Sequence, residues 1–100
     1  MTIFTDMKVA PGNHPRVTEK GIEAKIKDLN FIMDETLTIC IVKLKNGFKA
    51  VGTSACASPE NFDPEVGRRL AFKDALRQMW PLEGYLLRER LFNASEAAGA

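Results

Sequence analysis

A chain of 100 residues is long enough for one domain, and an apolar content of 45% is ordinary for a packed core. Fourteen basic and 13 acidic side chains give a net charge of +1, which counts against a dedicated nucleic-acid binder because such proteins carry a clearer basic excess. No apolar run reaches the length of a membrane span, and the first residues lack the pattern of a signal peptide. We therefore expect a cytoplasmic protein without membrane association.

Residues 1–17 are predicted to form an extended N-terminal arm. Pro11 and Pro15 oppose a regular helix there, because proline lacks the backbone N–H that a helix needs. The single histidine, His14, lies in this arm with no other ligand type at a suitable spacing, so we expect no metal site. The remaining chain is predicted to be one domain over residues 18–93, followed by a frayed tail over residues 94–100.

A first helix is predicted to begin after Thr18. The Thr18 hydroxyl suits an N-cap, and Glu19 places negative charge in the first turn, where the helix dipole favours it. Apolar residues then recur at helical spacing on one face, at Ile22, Ile26, Leu29 and Met33. This periodicity predicts a helix from Glu19 to Phe31 or Ile32 that covers a neighbouring sheet.

Two β-branched and apolar runs, residues 36–45 and 48–56, flank the pair Asn46-Gly47. This pattern predicts an antiparallel β-hairpin, because a two-residue type I′ turn favours asparagine followed by glycine. Such a turn would place Lys43 opposite Ala50. In that register Cys40 and Cys56 point to opposite faces, so we expect no disulfide between them.

The segment Asp63-Pro64-Glu65 predicts the start of a second helix, with an N-cap, a proline in the first turn and then an acid. Residues 71–80 carry a broad apolar arc at helical spacing. Pro81 is expected to break or kink this helix at Trp80-Pro81, and a second helical segment is expected from Leu82 to about Phe92.

These elements predict an α+β domain, in which an antiparallel hairpin or small sheet is covered by an N-terminal helix and by a C-terminal helix kinked near Pro81. Trp80 and Tyr85 are expected to be largely buried, and Gly84 is expected to pack closely against a neighbour. Both faces of the hairpin are partly apolar, which leaves edges and surface to cover. We therefore expect a twofold homodimer, formed by sheet extension or by contact of the second face.

The residues that carry catalysis in other proteins have simpler explanations in this chain. Cys40 lies in the middle of an apolar strand, where a cysteine behaves as a small hydrophobe rather than as a nucleophile. Asp63 and Glu65 are explained by helix capping, and Glu60 by a surface loop. No glycine-rich phosphate loop follows a strand. We expect neither an enzyme nor a bound cofactor or metal.

Two basic features offer candidate binding sites. Three lysines surround Phe48 at the hairpin tip, and two arginines lie in the first turns of the second helix. An aromatic side chain among lysines can bind single-stranded nucleic acid, although lysines at a hairpin end also protect sheet edges from aggregation. The candidate partner-binding residues are Lys43, Lys45, Phe48, Lys49, Arg68 and Arg69.

Residues 36–92 carry a family resemblance. The segments Leu37-Thr-Ile-Cys-Ile-Val-Lys-Leu-Lys-Asn-Gly-Phe48 and Ser54-Ala-Cys-Ala-Ser-Pro-Glu-Asn-Phe-Asp63, with Trp80-Pro-Leu-Glu-Gly-Tyr85 further along, resemble small tailed-phage proteins of N4-like and Sf6-like phages. Many members have Gly-Glu-Ser-Ala-Cys where this chain has Thr53 before Ser54, which argues against a role for a carboxylate there.

The resemblance implies a phage or prophage protein of the host cytoplasm and brings no catalytic residues with it. By association, small phage proteins of this kind commonly bind and block a host factor. The sequence therefore favours a non-enzymatic accessory protein that inhibits or redirects a host or phage protein. The alternative is a nucleic-acid or nucleotide-binding protein that uses the basic hairpin tip.

Overall fold

The computed structural model describes residues 15–99. A short helix, α1 (Glu19–Glu23), precedes three strands, β1 (Ile26–Asp34), β2 (Leu37–Leu44) and β3 (Lys49–Ala55). A 3-10 turn (Pro59–Asn61) then leads to the long helix α2 (Pro64–Gly99). The strands form one antiparallel sheet in the order β1-β2-β3, and α2 covers one of its faces. The predicted α+β class is confirmed, whereas most of the expected arm, residues 1–14, lies outside the described residues.

The first helix is much shorter than predicted, because its expected second half is strand β1. Its start is confirmed, since the Gly21 N–H donates to Thr18 Oγ1 at 3.0 Å. Beyond Glu23 the prediction is wrong. Residues 29–33, Leu-Asn-Phe-Ile-Met, include aromatic and β-branched side chains that suit a strand, and they gain a full ladder of hydrogen bonds with β2. A tight turn, with Glu35 at a φ of 55°, joins the two strands.

The hairpin of β2 and β3 is confirmed, but its predicted register is wrong by one residue. Gly47 adopts a φ of 93°, and the Gly47 N–H donates to the Leu44 carbonyl at 2.9 Å. The Leu44 N–H donates to the Phe48 carbonyl, which closes a three-residue loop instead of the two-residue turn. Lys43 therefore lies opposite Lys49, and not opposite Ala50.

The shifted register also corrects the placement of the cysteines. Cys40 lies opposite Gly52, and the Cys56 N–H donates to the Thr36 carbonyl, so both cysteines belong to the same face of the sheet. They are nevertheless four residues apart along the strands, about 13 Å at the usual rise, which is beyond the reach of a disulfide. Both thiols are free.

The core lies between one face of the sheet and the first half of α2. The start of this helix follows the prediction, because the Glu65 N–H donates to Asp63 Oδ1 at 3.0 Å. Ile22 of α1 contributes a fully buried side chain, with Val17 packed against the same core. The buried side chains of the sheet are Thr38, Cys40, Val42, Leu44 and Ala50, and those of α2 are Ala71, Ala75, Leu76 and Met79.

Small residues allow α2 to approach the sheet closely. A Cβ atom added to Gly52 would lie 2.2 Å from the Ala71 carbonyl oxygen and 2.3 Å from the Ala75 nitrogen. At Gly67 an added Cβ would lie 2.6 Å from Thr38 Oγ1. The backbone of the helix therefore rests almost directly on β3, and no side chain fits between them.

The second half of α2 extends past the sheet without interruption, so a break at Pro81, one of the two predicted alternatives, is wrong. The other alternative, a kink of the continuous helix, stays a prediction. Pro81 lacks only the N–H that would bond to the Arg77 carbonyl, and because the proline is exposed, water can bond to that carbonyl instead. Beyond Met79 no described residue of the helix is buried. The helix also continues through the expected frayed tail to Gly99.

Three smaller expectations on this segment are corrected in turn. Tyr85 was expected to be buried but is 70% exposed, and Trp80 is only half-buried. Gly84 has no atom within 4 Å of an added Cβ, so close contact with a neighbour does not explain this glycine. Despite its length, α2 is not apolar enough to cross a membrane, and neither is any other helix within residues 15–99.

We expect Gly52→Ala to lower the free energy of unfolding by about 3 kcal/mol or more, because the new methyl group meets helix backbone that cannot move aside cheaply. Gly84→Ala is the matched control. It should raise the free energy of unfolding by about 0.5–1 kcal/mol, since it removes the flexibility of glycine from a helix position where an added methyl group meets no neighbour. Urea unfolding of both variants measures the difference, and equal stability of the two would contradict the close approach of α2.

Candidate interaction surfaces

The hairpin tip gathers four of the six candidate partner-binding residues. Lys43 and Lys49 lie directly opposite each other on the face that α2 does not cover. Lys45 lies in the loop, and Phe48, at its end, is 48% exposed. No ion pair within residues 15–99 involves any of these lysines. Facing like charges destabilise a sheet, and Asp28, which lies opposite Lys43 on β1, offsets only part of this cost.

The other two candidates, Arg68 and Arg69, lie at the opposite end of the sheet. They follow Gly67, which contacts Thr38 near the start of β2, whereas Lys43 lies near its end. Thr38 and Lys43 are five residues apart along β2, which corresponds to about 17 Å at the usual rise of a strand. Arg68 also forms an ion pair with Glu65 at 2.8 Å. The six predicted residues therefore form two separate groups.

The outer edge of β3 is closed by side chains of α2. The Thr53 N–H donates to Asp74 Oδ2 at 2.9 Å, and Gln78 Nε2 donates to the Val51 carbonyl at 2.8 Å. Asp74 is also held by an ion pair with Arg77. These bonds occupy backbone groups that an added strand would need.

The outer edge of β1 carries large apolar side chains, and the sequence analysis missed this surface because it assigned these residues to a helix. Leu29, Phe31 and Met33 lie on the helix-facing side of the sheet, opposite Val42, Cys40 and Thr38 respectively, and Ile32 lies on the other face. Their exposed fractions are 38%, 36%, 38% and 49% in the order Leu29, Phe31, Met33 and Ile32. The spacing of two residues between Leu29, Phe31 and Met33 was the signal that could have identified the strand, although Ile32 interrupts the alternation with polar residues.

The side chains that could support chemistry do not assemble. Within residues 15–99 no three side chains of histidine, cysteine, aspartate or glutamate come close enough together to hold a metal ion. The Cys40 side chain is fully buried, and this burial raises the pKa of its thiol. Cys56 is half-buried, and its Sγ donates to the Ser58 carbonyl at 3.3 Å.

Thiol alkylation of the native protein should therefore modify Cys56 and spare Cys40. The thiolate is the reactive form, and Cys40 is both inaccessible and held as the neutral thiol. Mass spectrometry after a short pulse of iodoacetamide checks this expectation. Equal labelling of both thiols would contradict it.

Cys40 should also make the stability of the protein depend on pH. Because the pKa of Cys40 is higher in the folded than in the unfolded state, the free energy of unfolding should fall as pH rises above about 9, and Cys40→Ala should remove this effect.

Comparison with known proteins assigns the chain to a family. The model of the Phage protein (N4 Gp49/phage Sf6 gene 66) family matches residues 17–91. This match covers α1, the whole sheet and most of α2. No curated protein and no solved structure matches the chain significantly. The chain therefore belongs to the Phage protein (N4 Gp49/phage Sf6 gene 66) family.

Proposed function

We propose that this phage protein is a non-enzymatic accessory protein that acts in the cytoplasm of the infected host by binding a host or phage protein and inhibiting or redirecting it. Membership of the phage family supports the setting. The burial of Cys40 supports a role without thiol catalysis. The hairpin tip, defined as Lys43, Lys45, Phe48 and Lys49, is the surface that we assign to the partner.

The observation that carries this proposal is the exposed Phe48 between lysines that form no ion pair in the described chain. An aromatic anchor with a basic rim suits a partner that offers an apolar pocket edged by carboxylates. The lysines accelerate the encounter with such a surface, and burial of Phe48 supplies most of the affinity. The cost of placing Lys43 opposite Lys49 would be offset in the complex by partner carboxylates.

Binding of a nucleic acid or a nucleotide by the same tip is the second candidate. Phe48 could stack on a base while the lysines contact phosphates. The separation of Arg68 and Arg69 from the tip counts against this alternative, because it removes both arginines from any continuous basic surface that includes the tip. Asp28 lies opposite Lys43 on β1, and it would repel a phosphate.

Affinity capture from host lysate should separate the two candidates. The tagged protein should retain a stoichiometric protein partner after nuclease treatment. Phe48→Ala should weaken this interaction about tenfold or more, as expected for a central aromatic anchor. Lys43→Gln, Lys45→Gln and Lys49→Gln together should also weaken it. This triple variant should fold about as stably as the parent, because it removes the like-charge pair Lys43–Lys49 together with the opposite-charge pair Asp28–Lys43. Arg88→Glu, an exposed charge change on the far half of α2, is the matched control and should bind normally.

The outcome that would overturn the proposal is equally specific. Nuclease treatment would then remove all captured material. The purified protein would bind a single-stranded oligonucleotide, its affinity would fall steeply with salt, and the triple variant would lose that affinity. Retention of the protein partner by both Phe48→Ala and the triple variant would show that the partner binds elsewhere.

A further inference from the structure

The two outer edges of the sheet differ in a way that indicates how the protein associates with itself. Asp74 and Gln78 occupy outward backbone groups of β3. Among the hydrogen bonds of residues 15–99, no side chain of another element reaches the outer edge of β1. Within β1 itself, the outward Leu29 N–H donates to Asp28 Oδ1 at 2.9 Å, which leaves the outward groups of Phe31 and Met33 without a partner in the described residues. A long uncovered edge strand is a template for pairing, and proteins usually protect such an edge. Here the edge of β3 is protected, and the edge of β1 is open from Phe31 onward.

The hydrogen bonds of the hairpins identify which groups of β1 point outward. The Leu44 N–H donates to the Phe48 carbonyl, and the Cys56 N–H donates to the Thr36 carbonyl, so the even-numbered residues of β2 face β3. The odd-numbered residues of β2 therefore face β1, and they pair there with Asp28, Asn30, Ile32 and Asp34. The backbone groups of Leu29, Phe31 and Met33 consequently point away from the sheet.

We propose that β1 pairs antiparallel with β1 of a second copy of this chain, around a twofold axis at Phe31, to form a continuous six-stranded sheet. In this register Phe31 faces Phe31 of the second copy. Leu29 faces Met33 of the second copy, and the reciprocal pair repeats on the other side of the axis. The outward residues then exchange backbone hydrogen bonds, because residues with the same hydrogen-bonding direction meet. The Leu29 N–H, which donates to Asp28 Oδ1 within one chain, exchanges this acceptor for the Met33 carbonyl of the second copy.

The side chains favour the same arrangement. No charged residue lies between Leu29 and Met33, so two copies of this segment do not repel each other. Six apolar side chains from the two strands would meet on the helix-facing side, where α2 covers β2 and β3 and leaves β1 open. The register shift in β1 between Ile26 and Asp28 limits the flat part of the edge to about this length.

One contact opposes the pairing and so provides a sensitive test. Asp28 would face Asp34 of the second copy on the open face, and facing like charges weaken a strand pair. Lys43, opposite Asp28 within each chain, offsets part of this repulsion. The inference goes beyond the proposed function and does not depend on it, since the hairpin tip lies at the end of the sheet and remains free in the dimer.

Sedimentation equilibrium of the purified protein tests the proposal. The parent should have twice the 11.1 kDa mass of one chain. Phe31→Lys places two lysines at the twofold axis and should weaken dimerisation about 100-fold or more. Val51→Lys is the matched control, because Val51 is 47% exposed on the closed edge strand β3, and the dimer of this variant should be unchanged.

Asp34→Lys turns the repulsive pair between Asp34 and Asp28 of the second copy into an attractive one. It should strengthen the dimer about two- to tenfold, a gain that misfolding cannot produce.

Disulfide cross-linking can locate the twofold axis of the proposed dimer. Phe31→Cys puts two thiols on facing residues about 5.5 Å apart at Cα, within the range of a disulfide, and mild oxidation should give a covalent dimer. Val51→Cys should not. A monomer at every concentration would overturn the proposal. So would a dimer that survives Phe31→Lys and is lost with Leu86→Lys in the exposed half of α2, because that result would assign dimerisation to the helix.

Discussion

The contact between the backbone of α2 and strand β3 at Gly52 determines the arrangement of the rest of the molecule. At this point the helix lies so close that a single methyl group would overlap its backbone. Because of this close approach, Ala71 and Ala75 are buried against the sheet, and the side chains of Leu76 and Met79 are buried in the core. It also brings Asp74 and Gln78 within hydrogen-bonding distance of the outer edge of β3. One glycine thus accounts for both the core and the closure of one edge.

A helix placed over β2 and β3 leaves the remaining strand and the hairpin tip uncovered. The start of β1 is tied to α2 by the ion pair between Lys25 and Glu83, at 2.6 Å, and by the buried Ile22 of α1. Past that point the apolar side chains of β1 remain more than one third exposed. The two surfaces are chemically distinct, since one is an apolar strand edge and the other is a basic tip with an aromatic anchor. We therefore assign the first to self-association and the second to a partner.

Local signals in the sequence predicted the parts of the fold that depend on local chemistry. The caps at Thr18 and Asp63 and the two strands around Asn46-Gly47 were all found, because each needs only neighbouring residues. Strand β1 was missed because Ile26, Leu29 and Met33 also fit a helical period, and the ladder that decides between the two lies on β2. The uninterrupted helix at Pro81 was missed for a similar reason, since an exposed carbonyl can bond to water and the helix then continues.

The candidate site was predictable only in part. The lysines and Phe48 of the tip are close in sequence and remain close in the fold, whereas Arg68 and Arg69 were grouped with them only by charge. Assignment of Lys43 opposite Lys49 required the register, which depends on a single left-handed residue at Gly47. The apolar edge of β1 could not be identified until the strand itself was known.

The central claim is that α2 closes the edge of β3 and leaves the edge of β1 to a second copy, and amide hydrogen exchange resolved by residue tests it most directly. Asn30 and Ile32 should exchange slowly at every protein concentration, because their N–H groups face β2. Thr53 should also be protected through Asp74. Phe31 and Met33 should be protected in concentrated protein and exchange rapidly after dilution. Rapid exchange of these two amides at all concentrations, or rapid exchange of Asn30 and Ile32, would contradict the account.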